Sequence, residues 1–188
     1  MSRRGREGLE TRQGFTLVEL LLVLAVLGIL AAVGWVAWRR YARKAKTSEV
    51  YAMIAAIKQA EESYKAETGS YLSTGATEND FYPVLGSKGT EPTLKPFDVN
   101  NAPDSRWKDL NVSAPSKNLY CGYVVIAGPA GAWGSAGARG QTLFGGKLPT
   151  TPWYYIRATC DLDGKSGTNS FYETTFDRET VYVENEGN

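Results

Sequence analysis

One run of 24 residues, 15–38 (FTLVELLLVLAVLGILAAVGWVAW), constrains this chain more than anything else in it, because it carries a single charge, Glu19. At ~1.5 Å rise per residue, a helix of that length crosses a ~30 Å hydrocarbon layer. Trp35 and Trp38 stand where an interfacial aromatic belt belongs. The other account, a core helix of a soluble protein, needs a large body of protein around a helix that is apolar on every side. Membrane insertion is therefore expected. Orientation is not chosen by charge alone, since Arg3, Arg4, Arg6 and Arg12 precede the run while Arg39, Arg40, Arg43, Lys44 and Lys46 follow it.

Residues 1–14 (MSRRGREGLETRQG) are polar and basic, without any apolar stretch, and read as a cytoplasmic leader. They carry a formal charge of +2, against +1 for the whole chain, so the remainder is close to neutral and no basic face advertises nucleic acid. Histidine is absent. That removes the commonest general base, the commonest zinc ligand and every Ser-His or Cys-His nucleophile pair. No catalytic residues and no cofactor are expected. The two cysteines, Cys121 and Cys160, lie in the C-terminal half. An exported half would favour a disulfide between them, and two buried free thiols are the alternative.

Beyond the apolar run, residues 39–68 keep to helix formers, with Val50, Met53, Ile54, Ile57, Ala60 and Tyr64 on one stripe that also takes in Glu61. The spacing predicts one helix from about residue 15 to residue 68, stopped by Gly69. Residues 69–118 are rich in Gly, Pro, Ser, Asn and Asp and are expected to form a long irregular connection. Strand patterns follow at 120–127, 153–160, 171–177 and 180–184, and the glycine-rich segment between the first two reads as a loop. Within 119–188 these give an antiparallel sheet of three or four strands. The expected class is α+β: a long N-terminal helix, its first half spanning a membrane and its second half packed on a small antiparallel sheet.

The sequence Gly14-Phe15-Thr16-Leu17-Val18-Glu19-Leu20, which opens the apolar helix directly after a short basic leader, resembles the cleavage and methylation segment of type IV prepilins and type II secretion pseudopilins. A secretory signal peptide places its cleavage site after the apolar stretch; here the glycine comes before it, so processing would leave the helix on the mature chain. The resemblance covers residues 12–71. It implies that a prepilin peptidase cuts between Gly14 and Phe15 and that the new amine of Phe15 is methylated. It further implies that the C-terminal domain lies in the periplasm, and that subunits pass from the inner membrane into a pilus or periplasmic pseudopilus by way of an inner-membrane assembly machinery. Glu19 would then pair with the Phe15 amine of a neighbouring subunit, since an intramembrane carboxylate is costly unless partnered. The alternative for Glu19 is a carboxylate snorkelling at the positive end of its own helix.

Gly28, Ala31, Ala32 and Gly34 would let neighbouring helices approach closely, or are ordinary membrane-helix composition. Many filament-forming pilins carry a proline about twenty residues into this helix; here Gly34-Trp35-Val36 stands in its place, leaving minor pilin and pseudopilin open beside major pilin. In the segment 161–170, Asp161 and Asp163 are weak calcium candidates, and a turn built on Asp-Gly chemistry is the other account. The aromatics Trp107, Trp133, Trp153, Tyr154 and Tyr155 are expected in the core rather than in a sugar-binding patch. The rival reading from another class is a periplasmic enzyme or binding module held by an uncleaved signal anchor.

Overall fold

The computed structural model describes residues 16–85, 94–162 and 169–185. In chain order the elements are α1 (Leu17–Thr68), β1 (Lys95–Pro96), α2 (Arg106–Leu110), β2 (Asn118–Leu119), β3 (Cys121–Gly128), α3 (Gly137–Leu143), β4 (Trp153–Cys160), β5 (Ser170–Thr175) and β6 (Tyr182–Glu184). The chain divides into two compact units, Met1–Tyr41 and Ala42–Asn188.

In the first unit, Leu17–Trp35 is a 19-residue stretch long and apolar enough to cross a membrane, and none of it is buried. Leu17, Ile29, Val33 and Trp35 are each at least 65% exposed, so no core among the described residues hides this stretch. α1 continues through Gly34, where no break occurs.

The second unit is built on the antiparallel sheet β3-β4-β5-β6, with β1 and β2 forming a separate two-stranded ribbon. Residues 42–68 of α1 bury Val50, Met53, Ile54 and Ile57 in a cluster shared with Tyr123, Val125, Tyr154, Ile156, Ala158 and Tyr172 of the sheet. Each of the four helix side chains removed from water is worth roughly 2 kcal/mol. Ala60 and Tyr64 pack at its margin, so the apolar stripe faces the sheet as its spacing requires. Lys58 anchors the helix from its flank, its Nζ donating to the carbonyl of Thr175 at 3.2 Å and to that of Arg178. α1 ends in a left-handed residue: Gly69, at φ +82°, donates its N–H to Lys65 at 2.8 Å, the closure a helix obtains cheaply only from glycine.

The other face of the sheet is covered as well. Alternation along β3 and β4 sends Val124, Ile126, Trp153 and Tyr155 to a second cluster with Ala136 and Leu143, so every residue of β4 is buried. Gly140 of α3 sits against the Tyr155 ring, where a Cβ would come within 2.5 Å of it. On this face Glu173, 1% exposed, accepts from Arg157 Nε at 2.8 Å and from Arg139 Nε at 2.7 Å. Two guanidinium partners for one buried carboxylate satisfy a charge that would otherwise be prohibitive there. The open edge of β3 is closed by residues 74–82: Thr74 N–H donates to the carbonyl of Val125 at 2.9 Å, and Tyr82 exchanges both backbone bonds with Tyr123. An edge so paired offers no template to another chain.

Cys121 and Cys160 stand directly opposite each other in the β3–β4 register and are joined by a disulfide. The four-stranded sheet has the α+β arrangement expected. Two local expectations need correction. The connection 69–118 is not wholly irregular: Trp107 and Leu110 are buried, and burying them organises α2, which Asn111 closes in the left-handed conformation. The glycine-rich segment after β3 is not wholly loop either, because Ala136 and Leu143 fold α3 onto the sheet. Strand ends differ by one or two residues: β5 stops at Thr175, where the chain turns, and β6 begins only at Tyr182.

Candidate functional site

The helix-opening segment is the one place where the chain puts a charge inside its apolar run. Thr16 precedes the first turn of α1, and it and Glu19 satisfy one another. The backbone N–H of Glu19 donates to Thr16 Oγ1 at 3.2 Å, while the N–H and the hydroxyl of Thr16 both donate to Glu19 Oε2 at 3.1 Å. This is a capping box, in which two orphan groups of a helix start are paired reciprocally. The carboxylate also lies at the positive end of the helix dipole. Both bonds reach the same oxygen, Oε2, so Oε1 stays outside the cap.

Thr16 was not among the residues that sequence reasoning singled out, although T-x-x-E at 16–19 is a capping-box spacing. Gly14 and Phe15 lie outside the described residues. Further along the helix, a Cβ at Gly28 or Gly34 would meet nothing within 4 Å. Their smallness serves no contact inside the described chain.

The second unit keeps its large aromatics inside. Trp107, Trp153, Tyr154 and Tyr155 are at most 1% exposed, and half-buried Trp133 packs edge-on to Trp153 with ring centroids 6.3 Å apart. These rings are core. Among the described residues no group of three His, Cys, Asp or Glu side chains is placed to hold a metal ion. Of the two calcium candidates, Asp161 follows β4 directly and Asp163 lies outside the described residues.

Buried carboxylates in this unit serve the fold. Tyr120 donates its N–H to Glu49 Oε1 at 2.8 Å, and burial holds the Glu49 carboxyl above its usual range. Glu61 is wholly buried, its carboxyl pushed up to about 8 by burial, with the neighbouring Glu62 adding to the rise against the opposing bond from Leu72. Sequence reading placed Glu61 on the packed stripe but could not see that it goes in uncharged at neutral pH.

A fully exposed apolar span that opens with a capped carboxylate, followed by a disulfide-bonded α+β unit, fits a single-pass membrane anchor carrying a folded domain. No curated protein and no solved structure shows a significant match to the chain. Residues 11–35 match the prokaryotic N-terminal methylation motif, the signature of type IV pilins and pseudopilins, and that stretch takes in the Thr16–Glu19 cap and most of the apolar run.

Proposed function

We propose that the chain is a prepilin, the structural subunit of a type IV pilus-like filament, cut between Gly14 and Phe15 by a prepilin peptidase and methylated on the new amine. The observation that carries this reading is the methylation motif at residues 11–35, lying over an apolar helix whose single charge is Glu19. Cleavage ahead of that helix leaves it on the mature subunit, first as an inner-membrane anchor and then as the packing core of the fibre.

Glu19 sets the stagger between copies. One carboxylate oxygen stays in the cap with Thr16, and the other accepts the cationic Phe15 amine of a neighbouring subunit, so both charges are neutralised once helices bundle away from water. Gly28 and Gly34 let those helices approach closely. The second unit then stands in the periplasm or outside the cell, where the Cys121–Cys160 disulfide is stable. The motif points to a structural role rather than to catalysis, and the absence of a proline near Gly34 keeps minor pilin and pseudopilin beside major pilin as forms of the same assembly.

Mass spectrometry of the membrane-fraction protein tests the processing. The expected terminus is methylated Phe15, and Met1 retained in assembly-competent cells would support the signal-anchored rival instead. Glu19→Ala is expected to mature normally yet fail to enter filaments.

A further inference from the structure

α1 and the segment at the end of α2 leave an open groove of about 380 Å³ between them. Its polar walls are Gln59, Ser63 and Glu67 on the helix, facing Asp109, Asn111 and Ser113. Glu67 and Asp109 are exposed, and neither joins an ion pair among the described residues. The basic side chains nearest in sequence do not line the groove: Lys65 is turned to the Tyr71 hydroxyl at 2.9 Å, and Lys108 is not among the lining residues. Among the described residues that line it, the groove thus holds two carboxylates and no cation.

The same chain carries the complementary charge. Residues 39–46 (RRYARKAK) hold five cations, and no acid follows until Glu49. Lys44 is exposed, and Lys46 lies over the Tyr120 ring at 5.0 Å. Lys44 precedes Glu67 by 23 residues on one helix, which at 1.5 Å per residue is roughly 34 Å, so a chain's own collar cannot enter its own groove.

We propose that this groove receives the basic collar, residues 39–46, of a second copy of the chain. The inference rests on the filament reading, in which helices of successive copies run parallel. A copy displaced by roughly 34 Å along the helix axis presents its Lys44 at the level of Glu67. That displacement is far from the few ångströms that relate a Glu19 to the Phe15 amine of its neighbour, so the collar and the cap contact different copies, and each contact fixes a separate interval of the assembly. Carboxylates facing a collar of one sign also select against misaligned copies, where like charges would meet.

The experiment is a charge exchange in the full-length chain, read as incorporation into filaments sheared from cells, with membrane level and N-terminal processing measured alongside. Reversing the groove with Glu67→Lys and Asp109→Lys is expected to lower incorporation roughly ten-fold, the scale of two ion pairs turned repulsive. Lys44→Glu with Lys46→Glu is expected to do the same, and the groove and collar reversals combined in one chain to restore it. Independently, Lys44→Cys with Glu67→Cys is expected to give disulfide-linked multimers in filaments and none in the unassembled membrane pool. Loss on collar reversal with no effect of groove reversal would assign the collar to the anionic membrane surface and overturn the proposal. Normal filaments from both reversals would overturn it too, while leaving the filament reading intact. Only the absence of any filament from the unaltered chain would remove that reading.

Discussion

Leu72 donates its backbone N–H to Glu61 Oε2 at 3.0 Å, so a wholly buried carboxyl on α1 holds the chain that has just left the helix. The turn at Gly69 reverses the chain, and eleven residues separate the partners. The other oxygen of Glu61 has no hydrogen-bond partner among the described residues. This is a position where charge is tolerated poorly and the protonated acid well.

Stability should therefore fall as pH rises. The folded carboxyl titrates near 8, while an unfolded one titrates near ~4.3, so the folded state holds the proton more tightly. Its contribution is complete below about 4.3 and is lost progressively as pH climbs to about 8, a difference on the order of 5 kcal/mol. Glu61→Gln should flatten that dependence. Thermal unfolding of the detergent-solubilised protein between pH 5 and 9 checks it, and an unchanged slope in the variant would assign the dependence to other groups.

The disulfide closes a loop across 39 residues between adjacent strands. Replacing both cysteines with serine should cost about 4 kcal/mol by the loop-entropy relation. Urea unfolding of the variant and of the reduced wild type should give the same loss. A cost near zero would mean that the sheet register is held by its two apolar faces alone.

Gly128 pairs with Trp153 across β3 and β4, and a Cβ there would fall within 2.2 Å of the indole. Trp153 is wholly buried and donates its Nε1–H to the Ala132 carbonyl at 3.0 Å, so it cannot swing aside freely. Gly128→Ala should cost roughly 1 to 3 kcal/mol. The expected fall in melting temperature is about 2 to 4 °C per kcal/mol for a chain of this size.

At the helix start, Thr16→Val keeps the shape of the side chain and removes both hydroxyl bonds of the cap. A cap of this kind is worth about 1 kcal/mol. Amide exchange at residues 17–19 should quicken in Thr16→Val and be restored in Thr16→Ser, measured in detergent micelles. Equal protection in all three would show that Glu19 is held by something other than Thr16.

Much of this protein is legible in the order of its residues because the signals are local. The apolar run at 15–38 announces a span by length alone, the stripe from Val50 to Ile57 announces a packed face by its spacing, and Gly69 announces where the helix stops. Glycine ahead of an apolar helix, with Glu19 within it, marks the methylation segment. Even Thr16 was readable, since a capping box is a four-residue pattern. Tertiary structure decided the rest, for reasons of distance and burial. Short helices such as α2 and α3 have too few turns to be stable by propensity and exist because Trp107 and Leu143 are buried beneath them. The spacing puts Glu61 on the packed stripe and Glu173 within a strand pattern, but gives neither its partners. Only the packing of α1 on the sheet pushes the Glu61 carboxyl up to about 8, and only the fold brings Arg157 and Arg139 to the Glu173 oxygens. The acidic groove, likewise, joins residues some forty positions apart, and no local pattern brings Glu67 and Asp109 to opposite walls of one groove.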